Sequence, residues 1–526
     1  MPDSSPLPPS LSARHFAASL KSFEAALGAE WVVSDPAKLA EFYDPYNLPS
    51  RTDFKPSAAL FPASVEEIQA VLRIANEQRI PLWTVSQGRN NAYGGAAPRL
   101  PGAVLLHLRR MNRVLEIDED NAYAVVEPGV RFFDLYEAIR AGGHRLTMSV
   151  PDLGWGSVIG NTLDHGVGYT PYGDHSASQC GMEVVLANGD LIRTGMGAMS
   201  NNRTWHTYKK GFGPTADGLF MQSNFGIVTK MGISLMPQPE CYMHCDASCA
   251  REEDLGAMIE ILRPLVLDRT IPNYPVIGNA LGAASQMSQR KDWYQGDGPL
   301  PDSVVDAITK KLGIGRWNMR FALYGNEAIV DAQYKIVQAA FAKLPGATVG
   351  GRKYAGAATA EIVAPQDRTQ AGIPGLDILN MVAWYGGEEG GHLDFSPVTP
   401  LKGKAVMAQT QLARRVVESF GLDYNAGVII MPRSAIQICL LSFDKKDSRQ
   451  VERAFDCCKA LVVEAAKAGY GEYRAHLEVM DLVAEQYDFN HHALRRFNER
   501  IKDALDPNGI LSPGKQGIWP REMRKH

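Results

Sequence analysis

Short apolar runs alternate with amphipathic stretches over the first 238 residues. Apolar positions at 65–75 have helical spacing, and Ser64 with Glu67 three residues later predicts a capping box at the helix start. Asn188 and Gly189 separate two apolar runs, which predicts a hairpin turn. Further apolar patterns predict strands at 58–61, 80–85, 103–108 and 122–130 and a helix at 131–141. The pattern indicates an α+β region with its own core.

From about Pro239 onward, the amphipathic stretches that predict helices become longer. Strand-like runs such as WNMRFALYG (317–325) and AGVIIMP (426–432) separate longer amphipathic stretches. Those stretches predict helices at 253–268, 301–312, 326–343, 403–419 and 447–468. We therefore expect a second α+β domain after residue 238.

Composition places the chain among soluble globular proteins. Of its 526 residues, 45% are apolar and 21% are charged, and the formal net charge of −4 argues against a general nucleic-acid binder. Uninterrupted apolar runs all fall short of the roughly 20 residues that a membrane span needs. Residues 1–16 lack a charged segment followed by an apolar one, so we expect a short disordered lead-in and a cytoplasmic protein.

The seven cysteines predict free thiols in a reducing compartment. Cys241, Cys245 and Cys249 stand four residues apart, which invites a metal-site interpretation. The spacing lacks the C-x-x-C pairs of zinc or iron–sulfur sites, and on a strand these cysteines would line one face. We expect small buried hydrophobes there and no metal.

Three glycine-rich tracts each lie beside a predicted strand. They are SQGRNNAYGG (86–95), PDLGWGSVIGNTLDHGVGYTPYGDH (151–175) and QSNFGIVTKMGI (222–233). The first is neither a P-loop nor a G-x-G-x-x-G fingerprint, and any one tract could be a structural turn. Together they favour one extended ligand along exposed backbone, and a dinucleotide has that shape.

A lone histidine opens the strand-like stretch EEGGHLDFSPV (388–398). Because side chains alternate along a strand, His392, Asp394 and Ser396 should share one face, with Leu393 and Phe395 on the other. By itself this stretch favours a partly buried structural histidine held by a hydrogen bond.

The chain resembles the vanillyl-alcohol oxidase / 4-cresol dehydrogenase family of flavoproteins, with the nearest likeness to its eugenol oxidase and vanillyl-alcohol oxidase members. The resemblance runs from about Phe23 to Trp519 and rests on the three glycine-rich tracts together with MEVVLANGDLIRTGMGA (182–198), GHLDFSPV (391–398), GEYRAHLEVMD (471–481) and LDPNGILSPGKQGIW (505–519). It implies a two-domain α+β fold. An FAD-binding domain would comprise 1–238 and a C-terminal return at 471–526, and a cap domain would span 239–470.

The resemblance further implies a covalently bound FAD attached through His392, because a cap-domain histidine makes this link in the oxidases, whereas 4-cresol dehydrogenase uses a tyrosine. An unprotonated histidine nitrogen is available near neutral pH. The matched positions implied to hold the cofactor are Ser86, Gln87, Gly88, Arg89, Asn90, Asn91, Gly94, Pro151, Gly154, Ser157, Gly160, Asn161, Tyr172, Gly173, Gly226, Ile227, Val228 and Lys515.

The family's substrates are para-substituted phenols such as vanillyl alcohol, eugenol and 4-alkylphenols, which bind as phenolates. Tyr93, Tyr473 and Arg474 match the residues that stabilise the phenolate oxygen, and Asp152 matches the acid/base at the benzylic carbon. Tyr169 and Tyr172 lie in the same tract, and we expect one or the other to line the cavity. From sequence alone, Tyr473-Arg474 would be a surface pair and Asp152 a turn residue.

The resemblance implies hydride transfer to FAD, a p-quinone methide, and reduction of O₂ to hydrogen peroxide. A dehydrogenase or hydroxylase that passes electrons to a cytochrome or another acceptor is the alternative enzyme, and an inactive flavin-binding protein is the non-enzyme alternative. The chain has no C-x-x-C-H haem motif, so any cytochrome would be a separate subunit. Family members are commonly dimers or larger, so we expect a homo-oligomer.

Two departures from the family pattern concern the cavity. Asp394 replaces the glycine or phenylalanine of the oxidases, so we expect it to contact a polar substrate group or a catalytic water. The alternative is that it pairs with a cation such as Arg433 or turns toward solvent. Gly278, Gly427 and the stretch 434–437 stand where relatives carry larger polar residues or paired histidines. Smaller side chains predict a pocket enlarged for bulkier, lignin-derived phenols.

Overall fold

Residues 6–48 and 54–524 are described by a computed structural model, and they begin with a small sheet covered by helices. Its strands, in the order β1-β2-β4-β3, are β1 (Val32–Val33), β2 (Ala58–Leu60), β3 (Leu82–Val85) and β4 (Val104–His107), and β2, β3 and β4 run parallel. The accompanying helices are α1 (Ala13–Leu27), α2 (Pro36–Leu39) and α3 (Val65–Gln78). The interior of this layer is apolar, since β2 and β4 are buried throughout.

A five-stranded antiparallel sheet follows in the order β5-β6-β10-β8-β9. The strands of this part of the chain are β5 (Val114–Asp118), β6 (Tyr123–Val126), β7 (Leu146–Thr147), β8 (Gln179–Val185), β9 (Leu191–Arg193), β10 (Ile227–Ser234) and β11 (Met236–Pro237). The helices are α4 (Phe132–Ala141), α5 (Val158–Leu163), α6 (His175–Ser178) and α7 (Asp217–Phe220). The hairpin predicted at Asn188-Gly189 is confirmed, because β8 and β9 are antiparallel partners on either side of it.

An eight-stranded sheet dominates the second region, in the order β15-β12-β14-β13-β18-β19-β16, with β17 paired to β19. Its strands are β12 (Cys241–Cys249), β13 (Val276–Asn279), β14 (Trp317–Gly325), β15 (Thr348–Ala355), β16 (Gly390–Phe395), β17 (Val398–Pro400), β18 (Asn425–Ile430) and β19 (Ser434–Asp444). The remaining helices are α8 (Asp254–Leu267), α9 (Ala280–Ala284), α10 (Asp302–Leu312), α11 (Glu327–Phe341), α12 (Gly403–Ser419), α13 (Ser448–Lys467), α14 (Met480–Glu485) and α15 (Phe489–Leu505).

The mixed helix-and-sheet architecture predicted from the pattern is confirmed, and the five long helices predicted after residue 238 correspond to α8, α10, α11, α12 and α13. The start of α3 differs in one detail. Ser64 Oγ accepts a hydrogen bond from the Glu67 backbone N–H at 3.2 Å, but the Glu67 carboxylate accepts one from the Ala63 N–H, one residue before the cap. Both bonds satisfy donors near the helix start.

The three regularly spaced cysteines lie in the core of the second region. Cys241, Cys245 and Cys249 are buried on β12 in one apolar cluster with residues of α8 and β14, which confirms that they act as small hydrophobes. The lead-in predicted for residues 1–16 is too long, because α1 begins at Ala13 with Ser12 as its N-cap. Residues 1–5 of that lead-in lie outside the described residues.

The C-terminal segment packs on the first region. The Leu82 N–H donates to the Ile510 carbonyl at 2.7 Å, and the Ser512 N–H donates to the Leu82 carbonyl at 2.7 Å. The Asn224 side chain also donates to the carbonyls of Ser512 and Ile518. The boundaries predicted at 238/239 and 470/471 fall in the connections between β11 and β12 and between α13 and α14.

Across residues 6–48 and 54–524, we find no helix with the length and apolar character that a bilayer crossing requires.

Candidate active site

A cavity of about 720 Å³ separates the glycine-rich loops of the first region from β13, β14, β16 and β18. All six residues predicted to act on the substrate line it: Tyr93, Asp152, Tyr169, Asp394, Tyr473 and Arg474. Most of those predicted to hold the cofactor also line it: Ser86, Gln87, Gly88, Arg89, Asn90, Asn91, Pro151, Ser157, Gly160, Asn161, Gly226, Ile227, Val228, His392 and Lys515. The fold therefore brings segments from the whole chain to one cavity.

Four residues predicted to hold the cofactor do not line the cavity. Gly94 has a φ of 101°, and a Cβ there would collide with Leu477. A Cβ on Gly154 would come within 2.7 Å of Phe133 and Pro374, and one on Gly173 would collide with Tyr274. Tyr172 donates its backbone N–H to Thr170 Oγ1 at 3.3 Å. The three glycines thus permit close packing behind the cavity wall.

The first glycine-rich loop offers unused hydrogen-bond donors. The backbone N–H groups of residues 87–91 donate no hydrogen bond to any described residue, although this loop forms part of the cavity wall. Gly88 has a φ of 62°, which turns the chain so that successive N–H groups can converge. The indole Nε1 of Trp155, in the same wall, is buried without a partner in the described part of the chain. This loop suits the phosphates of a dinucleotide.

Glycines let the other two tracts approach the cavity closely. A Cβ on Gly160 would collide with Ser86 Oγ, and one on Gly226 would lie 2.5 Å from the Val184 side chain. Ser157 fixes the start of α5 by accepting the Gly160 N–H at 2.9 Å. The walls are therefore backbone-rich and fit an extended group such as FAD.

Arg474 lies between two tyrosine rings at one end of the cavity. Its guanidinium carbon is 5.3 Å from the centroids of both Tyr93 and Tyr473, and its Nε and Nη2 donate to the Asp164 carbonyl. Burial raises the pKa of both tyrosines, so their hydroxyls stay neutral donors. Burial disfavours the charge on Arg474, but Tyr473, Tyr93, Asp164 and Asp394 together outweigh burial and raise the pKa, so the guanidinium stays charged. The group can stabilise one anionic oxygen.

Asp152 is held by two partners. Arg320 Nη2 donates to its Oδ1 at 2.8 Å, and the Tyr169 hydroxyl donates to its Oδ2. The Arg320 guanidinium also lies 4.7 Å from the Tyr169 ring centroid. This carboxylate is therefore fixed in orientation at the cavity wall, as a general base must be.

His392 and Asp394 face the cavity from β16, while Leu393 and Phe395 pack in an apolar cluster, as the period-two pattern predicted. His392 Nε2 lies 3.7 Å from Asp394 Oδ1. His392 Nδ1 and Asp394 Oδ1 are both buried without a hydrogen-bond partner in the described part of the chain. Burial lowers the pKa of His392, so its imidazole is neutral at neutral pH.

Among the described residues no ion pair joins Asp394 to Arg433, and the cation whose charge acts on Asp394 is Arg474. Burial raises the pKa of Asp394, and the charges of His392 and Arg474 and the side chain of Tyr93 lower it. This carboxylate therefore belongs to the same end of the cavity as the two tyrosines.

Sequence reasoning missed Arg320 and Glu472. Arg320 interrupts the apolar pattern of β14, and that charge within a largely buried strand was the available signal.

Glu472 precedes the Tyr473-Arg474 pair and accepts the Ser396 N–H at 3.2 Å. Burial raises the pKa of Glu472 to about 8, and its Oε2 has no partner among the described residues.

Gly278 and Gly427 are directly paired across β13 and β18 and both line the cavity. A Cβ on Gly278 would meet nothing within 4 Å, and one on Gly427 would meet only the Ile277 carbonyl oxygen, at 3.6 Å. Neither glycine has a positive φ that would demand glycine. The pair leaves open space where side chains would fit.

A sequence model of the FAD binding domain matches residues 56–195. The chain is 39% identical over 519 residues to the 4-cresol dehydrogenase [hydroxylating] flavoprotein subunit of Pseudomonas putida, and the match covers 97% of each chain.

Two solved structures are also similar. A 4-ethylphenol oxidase from Gulosibacter chungangensis, in an isoeugenol complex, aligns with a TM-score of 0.94 at 41% identity, covering 98% of this chain and 100% of that one. A p-cresol methylhydroxylase with bound substrate aligns with a TM-score of 0.92 at 38% identity, covering 98% and 99%.

Proposed function

The chain is an FAD-dependent oxidoreductase of the vanillyl-alcohol oxidase / p-cresol methylhydroxylase family, and we propose that it oxidises para-substituted phenols at the carbon attached to the para position. The observation that carries this proposal is the arrangement of Tyr93, Tyr473 and Arg474 at one end of the cavity. The similar proteins are by name a 4-cresol dehydrogenase and a 4-ethylphenol oxidase, which supports the same substrate class.

The phenol oxygen would bind between the two tyrosine hydroxyls and the guanidinium of Arg474. A phenol has a pKa of about 10, and each unit by which the site lowers it requires about 1.4 kcal/mol of differential stabilisation. Two neutral donors and one buried cation can supply several such units. The resulting phenolate pushes electron density toward the para carbon, which favours loss of hydride to give a p-quinone methide.

FAD, when bound, supplies the hydride acceptor. Residues 87–91 would hold its phosphates through their free N–H groups, and Gly160 and Gly226 would let it lie close to the backbone. We propose that His392 anchors it covalently, which is supported by a neutral imidazole whose Nδ1 is unpartnered among the described residues.

Asp152 would act as the acid/base at the oxidised carbon. Its carboxylate faces the cavity and is oriented by Arg320 and Tyr169, so it can accept a proton from water that adds to the quinone methide. Tyr169 would act through that carboxylate and line the substrate cavity.

We propose that the pocket takes bulkier para substituents, such as those of lignin-derived phenols. The open space at Gly278 and Gly427 supports this, because larger residues at both positions would narrow the cavity.

Reduction of O₂ to hydrogen peroxide is the proposed second half-reaction. The name of the Pseudomonas putida relative favours transfer to another electron acceptor instead, since it is a dehydrogenase and a flavoprotein subunit. The homo-oligomer and the cytoplasmic location remain predictions.

Purified enzyme incubated in air with 4-ethylphenol, vanillyl alcohol or eugenol tests the proposal by peroxide release and product analysis. The matched control is Arg474→Met, which should lose most turnover with every phenol. Turnover only with an artificial electron acceptor would indicate the dehydrogenase. Absence of turnover with either acceptor would contradict phenol oxidation and favour an inactive flavin-binding protein.

A further inference from the structure

The carboxylate of Asp394 lies among the groups that would surround the phenol oxygen. Asp394 lines the same cavity as Tyr93, Tyr473 and Arg474, and the Tyr473 N–H donates to the Ser396 carbonyl, two residues after Asp394, at 3.3 Å. The charges of Arg474 and Asp394 act on each other. Asp394 also raises the pKa of Tyr473. Its Oδ1 accepts no hydrogen bond within the described part of the chain, so one oxygen is free to receive a new proton.

The charged and ionisable groups around Asp394 disfavour a second negative charge beside it. His392, with its pKa lowered by burial, is neutral and contributes no positive charge at neutral pH. Asp152 disfavours ionisation of Asp394, and Asp394 disfavours ionisation of Glu472. Arg474 is therefore the cation that an ionised Asp394 and a bound phenolate would have to share.

The other groups facing Asp394 cannot accept a proton at neutral pH. The charge of Asp394 disfavours ionisation of five hydroxyl and thiol groups, and burial also raises the pKa of each, so each already carries its proton. They belong to Tyr46, Tyr93, Tyr473, Cys439 and Cys458. These three hydroxyls and two thiols can donate but not receive.

Two further acceptors are unsuitable. Glu472, with a pKa raised to about 8 by burial, is largely protonated at pH 7. Protonation of buried His392 is disfavoured, and its imidazole is the proposed attachment point of the cofactor. Asp394, whose Oδ1 is buried and unpartnered in the described part of the chain, is the carboxylate of this strand that is left to take a proton.

We propose that Asp394 is the base that receives the phenolic proton when substrate binds, an inference that rests on the proposed function. The O–H bond of the phenol breaks and an O–H bond forms on the Asp394 carboxylate. Neither the phenol nor the carboxylate is oxidised or reduced in this proton transfer. Because two adjacent anions would repel each other, the transfer leaves the phenolate as the single anion beside Arg474. Binding then occurs without release of a proton to solvent.

The experiment uses 4-fluorophenol, which has no oxidisable para carbon, and the flavin-loaded enzyme. Fluorine NMR reports whether the bound ligand is phenol or phenolate, and titrations between pH 6.5 and 8.5 give the dissociation constant. We expect bound phenolate and a dissociation constant that changes less than twofold over this range, because no net proton is exchanged. Bound neutral phenol would overturn the proposal, as would affinity that rises tenfold per pH unit, since that slope means a proton released.

The variant Asp394→Asn sharpens the test. It should bind phenolate with affinity that rises about tenfold per pH unit, because the phenolic proton must now leave to solvent. A slope unchanged from wild type would overturn the role of Asp394. The matched control is Ser442→Ala, the buried cross-strand neighbour of His392 outside the cavity wall, which should keep the wild-type profile.

The wild-type spectrum and slope remain decisive if the asparagine variant fails to fold. No binding of 4-fluorophenol at millimolar concentration would overturn the proposed function, and the role of Asp394 with it. Binding as phenolate with affinity that rises tenfold per pH unit would overturn only the role of Asp394, because the proton would then leave to solvent. Binding as the neutral phenol would overturn both that role and the phenolate step of the proposed function.

Discussion

The guanidinium of Arg320 lies 2.8 Å from the carboxylate of Asp152. Arg320 belongs to β14, inside the eight-stranded sheet, whereas Asp152 belongs to the second glycine-rich tract of the first region. An ion pair thus joins the two regions at the cavity. This contact links the orientation of the proposed acid/base to the stability of the interface.

Arg320→Met should lower both turnover and stability. Removing one partner of a fully buried ion pair costs about 3–5 kcal/mol, and here we expect about 2 kcal/mol because both side chains of this pair are partly exposed. Asp152→Asn combined with Arg320→Met should recover part of the stability, measured by denaturant unfolding of the flavin-loaded enzyme, but none of the turnover. Lys353→Met, which removes pairs with Glu327 and Asp331 on the surface, should cost much less, because solvent screens exposed ion pairs. Equal costs for the two single variants would contradict this prediction.

Gly427→Leu should exclude large substrates selectively. The new side chain would project into the space beside Gly278, so kcat/KM for phenols with bulky para substituents should fall about 10- to 200-fold, while 4-ethylphenol should be affected less than about threefold. Gly427→Ala should have a small effect, and Gly218→Leu, at an exposed glycine, is the control for the added apolar side chain. A uniform loss across all substrates would contradict a size filter.

His392→Ala should convert covalent flavin into dissociable flavin. The wild-type enzyme should keep its yellow colour in the pellet after acid precipitation, whereas the variant should release all of its FAD into the supernatant. His491→Ala, at an exposed histidine, should behave like wild type. Flavin retained in the acid pellet of His392→Ala would place the attachment at another residue.

Glu472 should make the protein less stable as the pH rises. Its pKa is raised from 4.5 to about 8 by burial, so between these values the folded protein holds a proton that the unfolded chain has lost. Stability from this group is complete below pH 4.5 and falls by about 1.4 kcal/mol per pH unit toward pH 8.

Glu472→Gln has no carboxyl group to titrate at this position. Its free energy of unfolding should therefore rise relative to that of the wild type as the pH rises. We expect the difference in unfolding free energy to shift by about 2–3 kcal/mol between pH 5.5 and 7.5, with the variant favoured at the higher pH. Thermal unfolding of both flavin-loaded proteins at the two pH values measures this. Parallel pH profiles would show that Glu472 has no raised pKa.

The sequence by itself determined much of the local structure. Helical spacing predicted α3 and the long helices of the second region, and the period-two pattern predicted that His392 and Asp394 face one side of β16. These predictions succeed because periodicity reports which face of a single element meets the core. The glycine-rich tracts likewise indicated an extended ligand before any fold was considered.

Only the tertiary structure decided which residues meet across elements. The pairs Arg320–Asp152 and Gly278–Gly427, and the burial of Glu472 beside Ser396, depend on strand order and on how the second region covers the first. The substrate end of the cavity is built from such contacts. No local pattern encodes them, because each joins residues far apart in the chain whose proximity arises only when the sheets have formed.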